Sequence, residues 1–559
     1  MKGRRQSKVW WSALGIGLLV WLAGLPAGPP AGPPAGPPAG PPSDGLSPQA
    51  LAADKKGPVD AEKSVRVEDK GPGETATGEA KVLRLSLNEA RLLALEHNRA
   101  WVVQRINPAV EQTFVEEERA TFDAAVEAAL SARRSDVKRQ ARPDSGTEDA
   151  TTDTYEATLA LKDFFPSGTR LDVGAAASIT DSNLYPDPLA ATRLGLTVTQ
   201  ALLRGFGSAV NTAKLRQSQL AVDISVYELR GFCETLISQV ENAYWDYALA
   251  QREIEILEES LRLARQQLAE TQDMIEVGSL AETELVAVQA QVALQQQALI
   301  NARSQLALAR LQLLRLLSPP GQPLWDRQVE LIHPPSVPQV QLEAVSEHER
   351  VARRMRPELK QAELEVEQQT IELVRTRNGL LPQMDFFITL GKSGYAESFG
   401  QSVQNLDGDS YDVAAGFEFQ FPLANHAAKA QHKRARLLRD QKTKALENLT
   451  QLVELDVHRG YIEVSRTRAQ IAASTATRRF EAEKLRVEIE RFRVGRATSL
   501  TVAQAQQDLL VARIGEVRAV VDYLKALTEF YRLEGSLLRR RGIQAPGAEA
   551  LPEREAPPS

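Results

Sequence analysis

The chain has 559 residues and a formal net charge of −6 at pH 7, so it lacks the strongly basic surface that nucleic-acid binding requires. Its composition, with 43% hydrophobic and 25% charged residues, is that of a folded protein. The single cysteine, Cys233, excludes an intrachain disulfide framework and a redox pair of thiols.

The N-terminus carries the features of an export signal. Lys2, Arg4, Arg5 and Lys8 precede an apolar run of 17 residues, 9–25, and small residues follow it. This order predicts a secretory signal peptide over residues 1–27, with a membrane anchor of marginal length as the alternative. No other stretch approaches 18 uninterrupted apolar residues. If the mature protein spans a membrane, we therefore expect it to do so with β-strands.

Residues 28–80 have the composition of a linker. The sequence Ala-Gly-Pro-Pro occurs four times from Ala27 onward and is followed by a polar stretch. This repeat favours an extended polyproline conformation over helix or sheet, and we predict a disordered linker. The proline-containing tail, residues 541–559, is predicted to be disordered for the same reason.

The chain between these segments is predicted to be a structural duplication. Val277-Gly278 and Val494-Gly495 each follow a tyrosine, Tyr244 or Tyr461, with 34 residues from the tyrosine to the glycine. Proline is absent from residues 189–318 and 423–545, and apolar residues there recur with a mean step of 3.5. Because proline breaks helices and this step is the coiled-coil period, each half is predicted to hold a helical hairpin roughly 90 Å long. The two glycines mark the turns.

Ahead of each hairpin the apolar residues alternate with polar ones. The alternating runs lie at residues 155–161, 171–179, 194–198, 384–390 and 413–421, with a weaker run at 124–132. Alternation of this length is typical of transmembrane barrel strands, and strands of a soluble β-sandwich are the alternative. Residues 166–169 form a tight turn, whereas the other connections, near 134–153, 181–192 and 391–410, are predicted to be long loops. Six strands do not easily close a barrel, so closure predicts several chains.

Several motifs together resemble the TolC family of outer-membrane efflux proteins over residues 83–538. They are Leu85-Ser86-Leu87-Asn88-Glu89-Ala90, Thr199-Gln200-Ala201-Leu202-Leu203-Arg204-Gly205, Arg356-Pro357-Glu358-Leu359, Leu380-Leu381-Pro382-Gln383, Phe419-Gln420-Phe421-Pro422-Leu423 and the two Val-Gly turns. The family often has proline where Ala201 stands, and the second junction keeps that proline at Pro422.

The resemblance implies a mixed α+β membrane protein. Three copies would share a β-barrel in contact with outer-membrane lipid, continued by a long periplasmic α-helical coiled-coil barrel. We expect a first repeat at 81–317, an inter-repeat equatorial segment at 318–355 and a second repeat at 356–540. The family's barrel takes four strands per chain. The two further strands near residues 155–180 either widen the barrel or lie outside it.

The function that the resemblance implies is that of an outer-membrane exit channel. It would belong to a tripartite efflux or type I secretion system and pass substrates from an inner-membrane pump and a periplasmic adaptor protein to the exterior. The sequence offers no catalytic constellation, no phosphate-binding loop and no histidine pair at metal-ligand spacing, so no enzymatic activity, cofactor or metal is predicted. The alternative function is that of a secreted coiled-coil structural or adhesive protein of the cell envelope.

The hairpin tips are the candidate functional site. The resemblance implies that Glu284 matches a family acid that holds the tips closed, and Arg496 is its hypothesised partner. Thr501 and Gln504 stand where the family has a ring of acids in the pore, and Asp508 is the candidate substitute, with a solvated helix face as the alternative. The candidate gate residues are Gly278, Glu284, Arg493, Gly495, Arg496, Thr501, Gln504 and Asp508.

Overall fold

A computed structural model describes residues 82–140, 147–319 and 324–544. The predicted signal peptide and Ala-Gly-Pro-Pro linker lie outside these residues, as does the tail from residue 545 onward. The described elements in chain order are β1 (Leu83–Leu85), α1 (Leu87–His97), α2 (Arg99–Gln104), α3 (Asn107–Arg119), β2 (Ala125–Gln140), β3 (Thr147–Phe164), β4 (Thr169–Ser182), β5 (Leu189–Ala201), α4 (Ser208–Asn211), α5 (Ala213–Glu276), α6 (Thr283–Leu317), β6 (Val329–Leu331), α7 (Val345–Met355), α8 (Pro357–Asn378), β7 (Gln383–Ala396), α9 (Phe399–Gln404), β8 (Tyr411–Gln420), α10 (His426–Arg493), α11 (Ser499–Leu533) and α12 (Leu537–Arg540).

Six long strands form one antiparallel sheet in the order β2-β3-β4-β5-β7-β8. The two additional strands therefore belong to the same sheet as the other four. Strands β5 and β7, which come from the two halves of the chain, pair along Ala190–Ala201. The two halves therefore meet between the fourth and fifth strands of the sheet.

The sheet has one apolar face. A line of directly paired residues crosses all six strands on this face: Val126, Leu161, Val173, Leu196, Leu390 and Val413. The residues on either side of them along each strand point to the other face, which carries most of the polar side chains. This division is the alternation that the sequence shows.

One predicted loop is wrong. The expected connection at 134–153 is mostly strand, because β2 continues to Gln140 and β3 begins at Thr147. From Arg133 onward every residue of β2 except Val137 is polar, so an apolar–polar alternation no longer marks the strand. The ladder with β3 nevertheless continues to Gln140 without a break. Similarly, β7 extends to Ala396 and shortens the predicted loop at 391–410.

Each half contains one long helix and a shorter returning helix. Helices α5 and α10 have 64 and 68 residues and span roughly 100 Å, whereas α6 and α11 have 35 residues each and span roughly 50 Å. Within the first hairpin, α5 packs on α6 through Leu257, Leu261 and Leu299. Nearer the sheet, α8 takes the place of the returning helix, and Gln217 and Gln368 exchange side-chain-to-carbonyl hydrogen bonds of 3.1 and 3.0 Å across the α5–α8 contact.

The main core lies where the helices of both halves meet the inter-repeat segment. It includes Ile237, Tyr244, Leu313 and Phe530, each fully buried. Strand β6 of the inter-repeat segment pairs in parallel with β1, which closes this core on one side. Within the described residues, no helix combines the length and the apolar character needed to cross a membrane.

Candidate functional site

Both hairpin turns have the same hydrogen-bonded geometry. Gly278 and Gly495 adopt φ values of 73° and 66°, which a residue with a Cβ rarely does. After α5, the N–H of Gly278 donates to Ile275 and that of Ser279 to Met274, both at 2.9 Å. After α10, Gly495 and Arg496 make the equivalent bonds to Phe492 and Arg491. Each turn is thus a Schellman motif, which satisfies the last carbonyl groups of the long helix.

Glu284 joins the two hairpin tips within one chain. It lies in the first turn of α6, and its carboxylate accepts a 2.9 Å hydrogen bond from the backbone N–H of Ser499. The Ser499 hydroxyl donates to the same carboxylate oxygen, and Ser499 is 1% exposed. Because Ser499 begins α11, the carboxylate also faces the positive end of that helix dipole. This contact ties the start of one returning helix to the start of the other.

A partly buried amide cluster makes a second link between the returning helices. Gln291 and Gln295 of α6 both donate from their side-chain amides to the side-chain oxygen of Gln507 on α11, at 3.3 and 3.0 Å. Gln295 is 1% exposed. These residues are not among those predicted for the site, although Gln295 interrupts the apolar seam of α6 and so indicates a polar contact inside it.

The described chain does not form the hypothesised Glu284–Arg496 ion pair. Arg496 is exposed and its backbone N–H closes the turn, while Glu284 bonds Ser499 instead. Arg493 pairs with Glu490 of its own helix at 3.1 Å, and both side chains are more than half exposed. In one chain, these two arginines therefore contribute no contact between the tips.

The three positions of the candidate acidic ring lie on α11. Thr501 and Gln504 are exposed, and the Thr501 backbone N–H donates to the N-cap residue Thr498. The Asp508 carboxylate accepts a 2.6 Å hydrogen bond from Lys484 of α10, with both side chains nearly half exposed. Asp508 thus has a cationic partner in its own hairpin.

At the sheet, the polar face carries ion pairs between strands. Arg193 on β5 reaches Asp412 on β8, with Nη2 and Oδ2 2.5 Å apart, although β7 lies between the two strands. The space for this contact is above Gly391, where a Cβ would lie 2.2 Å from Asp412 Oδ1. Lys162 and Glu127 form a similar pair between β3 and β2 at 2.5 Å. Charged groups therefore line this face of the sheet.

Buried carboxylates anchor the helices near the core. Glu241 on α5 is fully buried and accepts hydrogen bonds from Arg91 at 2.8 Å, from Arg541 at 2.8 and 2.9 Å and from the hydroxyl of Thr528 at 2.7 Å. This one side chain joins α1, α5, α11 and the segment after α12. Every one of these partners is a hydrogen-bond donor, so both oxygens of the buried carboxylate are satisfied.

Glu234, also on α5, is less well satisfied. Its carboxylate lies 3.6 Å from Arg230, and the facing oxygen accepts no hydrogen bond. Burial raises the pKa of Glu234 to about 7, a shift that the charge of Arg230 only partly opposes. Burial likewise raises the pKa of the Cys233 thiol to about 12, so this cysteine stays protonated and unreactive.

The described part of the chain contains no cluster of three or more His, Cys, Asp or Glu side chains arranged to hold a metal ion. Glu241 and Asp412 are instead used in structural contacts, the first between helices and the second between strands.

Comparison with known proteins identifies the family. A sequence profile described as "Outer membrane efflux protein" matches residues 92–318 and 350–536, well over half of the chain. No curated protein matches the sequence. Among solved structures, the CmeC outer-membrane channel of Campylobacter jejuni is 14% identical, with a TM-score of 0.60 over 81% of this chain and 86% of CmeC.

Two further channels have the same fold. The outer-membrane protein VceC of Vibrio cholerae is 14% identical, with a TM-score of 0.60 over 80% of this chain and 96% of its own. The open-state MtrE outer-membrane channel of Neisseria gonorrhoeae is 16% identical, with a TM-score of 0.57 over 81% and 89%.

The chain belongs to the outer membrane efflux protein family, and the resemblance to TolC-family channels is confirmed. It is an efflux channel of the outer membrane. The alternative of a secreted coiled-coil adhesive protein finds no support in these comparisons.

Proposed function

We propose that three copies of this chain share one β-barrel in the outer membrane and continue it as a periplasmic tunnel of helices. In each copy, residues 81–317 and 356–540 act as the two repeats, and residues 318–355 act as the equatorial segment. The observation that carries this proposal is the sheet. It has an apolar face, a polar face with ion pairs, and two edges, β2 and β8, that pair with no other strand of the described chain.

The apolar face suits contact with lipid. Along the sheet it presents exposed side chains such as Leu130, Val173, Leu194 and Phe417, whose exposed fractions are 77, 42, 49 and 64%. Large exposed apolar surfaces are rare on proteins that meet only water, and they are required on the outside of a membrane barrel. The opposite face, with Arg193, Asp412 and Lys162, suits a water-filled lumen.

We propose that the channel works with a periplasmic adaptor protein and an inner-membrane pump, in a tripartite efflux or type I secretion system. The tips support this partnership. Val277 and Val494, which occupy equivalent positions in the two turns, are 79 and 67% exposed, and the nearby Leu500 is 60% exposed. Apolar side chains held at the end of a rigid hairpin offer a docking surface for a protein. The channel itself would perform no catalysis.

We propose further that the tips are the gate. Gly278 and Gly495 shape the turns, and Glu284 holds the two returning helices together through Ser499. Arg493, Arg496, Thr501 and Gln504 are exposed near the tips, where they would face neighbouring copies or the pore. Asp508 is tied to Lys484, so an acidic ring would need this ion pair to open.

The test is to express the full chain, separate the outer and inner membranes, and measure the native mass in detergent. We expect the protein in the outer membrane, with about three chains per particle. Reconstitution into planar bilayers should then give discrete conductance steps. A monomer or dimer recovered from the soluble periplasmic fraction would contradict both the shared barrel and the tunnel.

A further inference from the structure

We propose that β8 of one copy pairs antiparallel with β2 of the next copy, in the register that places Phe417 opposite Ala128, so that the barrel has 18 strands. This inference rests on the proposed trimer and names the edges that meet. Six strands from each of three copies give this number. At 16 to 18 strands, a barrel encloses an aqueous channel.

The strand directions permit this closure. All five pairings within the sheet are antiparallel, so β2 and β8, the first and sixth strands, run in opposite directions. When copies are arranged in a ring, the two edges therefore meet as an antiparallel pair. Both edges are exposed in the single chain: Val126 and Leu130 on β2 are 69 and 77% exposed, and Phe417 and Phe419 on β8 are 64 and 65% exposed. An open, apolar edge of this kind needs a partner strand.

The ends of the two strands fix the register. Strand β2 begins at Ala125, directly after the helices α1 to α3, and β8 ends at Gln420, directly before α10. These ends lie on the same side of the sheet, the side on which the helices begin. At this rim of the barrel, the end of β8 and the start of β2 are at the same height when Gln420 lies opposite Ala125. This register places Phe419 opposite Val126, Phe417 opposite Ala128 and Ala415 opposite Leu130 of the next copy.

The tilt that follows from this register is the one that barrels have. Within one copy, the line of paired residues that starts at Val126 ends at Val413. In the proposed interface Val413 meets Ala132 of the next copy, six residues further along β2. One full circuit of the barrel crosses three such interfaces, so the line of paired residues shifts by 18 positions in total. This shift is the shear number of the barrel, and it equals the number of strands. Equal shear and strand number correspond to a tilt of about 36°, within the range of roughly 35–45° for outer-membrane barrels.

Side chains complement each other in this register. On the apolar face, the large Phe417 meets the small Ala128, and the large Leu130 meets the small Ala415. On the polar face, Asp412 faces Arg133, an opposite-charge pair of the kind that stabilises adjacent strands.

One contact across the proposed interface is repulsive, because Glu418 faces Glu127. Lys162 lies 2.5 Å from Glu127 and offsets this repulsion.

A barrel of four strands per copy is disfavoured by the ladder between β3 and β4. For such a barrel, β8 would have to pair with β4 of the next copy. That edge of β4 is already paired with β3 along its whole length, from Thr152–Ser182 to Phe164–Arg170. The pairing would have to break before a narrower barrel could close.

Cysteine cross-linking tests the interface. In a Cys233→Ala background, Ser131→Cys and Ala414→Cys place two thiols directly opposite each other on the polar face, at a Cα separation of roughly 4.5–5.5 Å that a disulfide can bridge. Oxidation should give covalent dimers and trimers on non-reducing gels. Each of two control pairs combines one of these two cysteines with a cysteine at a different position. Ala176→Cys with Ala414→Cys reports a β4–β8 interface, and Ser131→Cys with Glu418→Cys is four residues out of register.

The outcomes separate this inference from the proposed function. Cross-linking through residues 131 and 414, and not through either control pair, supports the 18-strand barrel. Cross-linking through 176 and 414, or a trimer by native mass that does not cross-link through 131 and 414, overturns it and leaves the trimeric channel standing. A protein that is monomeric before oxidation overturns the proposed trimer, and with it this interface.

Discussion

The carboxylate of Glu284 accepts a 2.9 Å hydrogen bond from the backbone N–H of Ser499, and this bond joins the two hairpins at their tips. Ser499 is almost completely buried, and its hydroxyl donates to the same carboxylate. The acceptor is charged and the backbone donor is at a helix N-terminus, so the contact combines a charge-assisted hydrogen bond with the helix dipole. The contact needs no basic side chain and no second copy of the chain.

We therefore predict that Glu284→Ala makes the closed tips easier to open. Breaking a hydrogen bond to a charged group costs about 1.5–3 kcal/mol per chain. The conductance of single channels in planar bilayers should rise relative to wild type. Glu282→Ala is the matched control, because Glu282 is two residues away and exposed. Arg496→Ala should resemble this control. If Arg496→Ala raises the conductance as much as Glu284→Ala does, an ion pair between these two residues holds the gate instead.

A second prediction concerns the ion pair above Gly391. Gly391→Ala places a Cβ where Asp412 Oδ1 now lies, so Asp412 must move away from Arg193. Since both side chains are nearly half exposed, we expect a loss of at most about 1 kcal/mol, measured as a lower temperature of barrel unfolding in detergent. Gly195→Ala is the control, because Gly195 pairs with Gly391 on the adjacent strand and its nearest neighbour is 4.0 Å away.

A double-mutant cycle isolates the cause of that loss. In an Asp412→Ala background, Gly391→Ala should have no further effect, because the ion pair is already absent. An equal loss with and without Asp412 would mean that the methyl group disturbs the strand itself.

The sequence predicts the features of the fold that depend on local chemistry. Strand alternation is visible wherever one face is apolar, and Gly278 and Gly495 mark turns because their positive φ values suit glycine. This alternation is absent from the second half of β2, from Arg133 to Gln140, where Val137 is the one apolar residue. The sequence also does not predict that the two helices of each hairpin differ in length. The heptad pattern of α5 does not indicate which helix packs against it. Nearer the sheet, α8 packs on α5 in place of α6.

For the candidate site, too, local features follow from the sequence and contacts between distant residues do not. The family resemblance predicts Glu284 as a tip residue, but sequence spacing does not indicate its partner within the chain. Ser499 is 215 positions away, and the two residues meet only because the hairpins pack side by side. For the same reason, no local pattern predicts that Gln291 and Gln295 contact Gln507. Strand and turn positions follow from local pattern, whereas contacts between the repeats depend on how the helices pack.

A third prediction concerns the packing of α10 on α11. Gly460, in the middle of α10, lies where a Cβ would be 2.8 Å from a ring carbon of the buried Phe530. Gly460→Ala should therefore destabilise the protein by about 1–3 kcal/mol through overpacking, despite the better helix propensity of alanine. Gly515→Ala on α11 is the control, because nothing lies within 4 Å of that position. It should stabilise the helix by about 0.8–1 kcal/mol.

Thermal unfolding of the detergent-solubilised protein, followed by circular dichroism, measures both glycine variants. Gly460→Ala should lower the unfolding temperature, and Gly515→Ala should raise it. If Gly460→Ala also raises the unfolding temperature, α10 and α11 are less tightly packed at this point than the structure places them.

The fourth prediction is a dependence of stability on pH through Glu234. Its pKa in the folded chain is raised from 4.5 to about 7, first by burial. Between these values the folded protein holds a proton that the unfolded chain has released, so stability falls as the pH rises from about 4.5 to about 7. Above pH 7 the buried carboxylate is charged in the folded protein and its cost is fully present. At 1.36 kcal/mol per pKa unit, the loss is about 3 kcal/mol at most.

Glu234→Gln removes the titrating group, and the variant should lose less stability than wild type between pH 5 and pH 8. Urea unfolding at both pH values, followed by helix content, gives the two differences in free energy. Glu228→Gln is the control on the same helix, because Glu228 is exposed. It should follow the wild-type pH dependence. If Glu234→Gln has the same pH dependence as wild type, Arg230 keeps Glu234 charged in the folded protein, and the 3.6 Å separation between them is offset by their attraction.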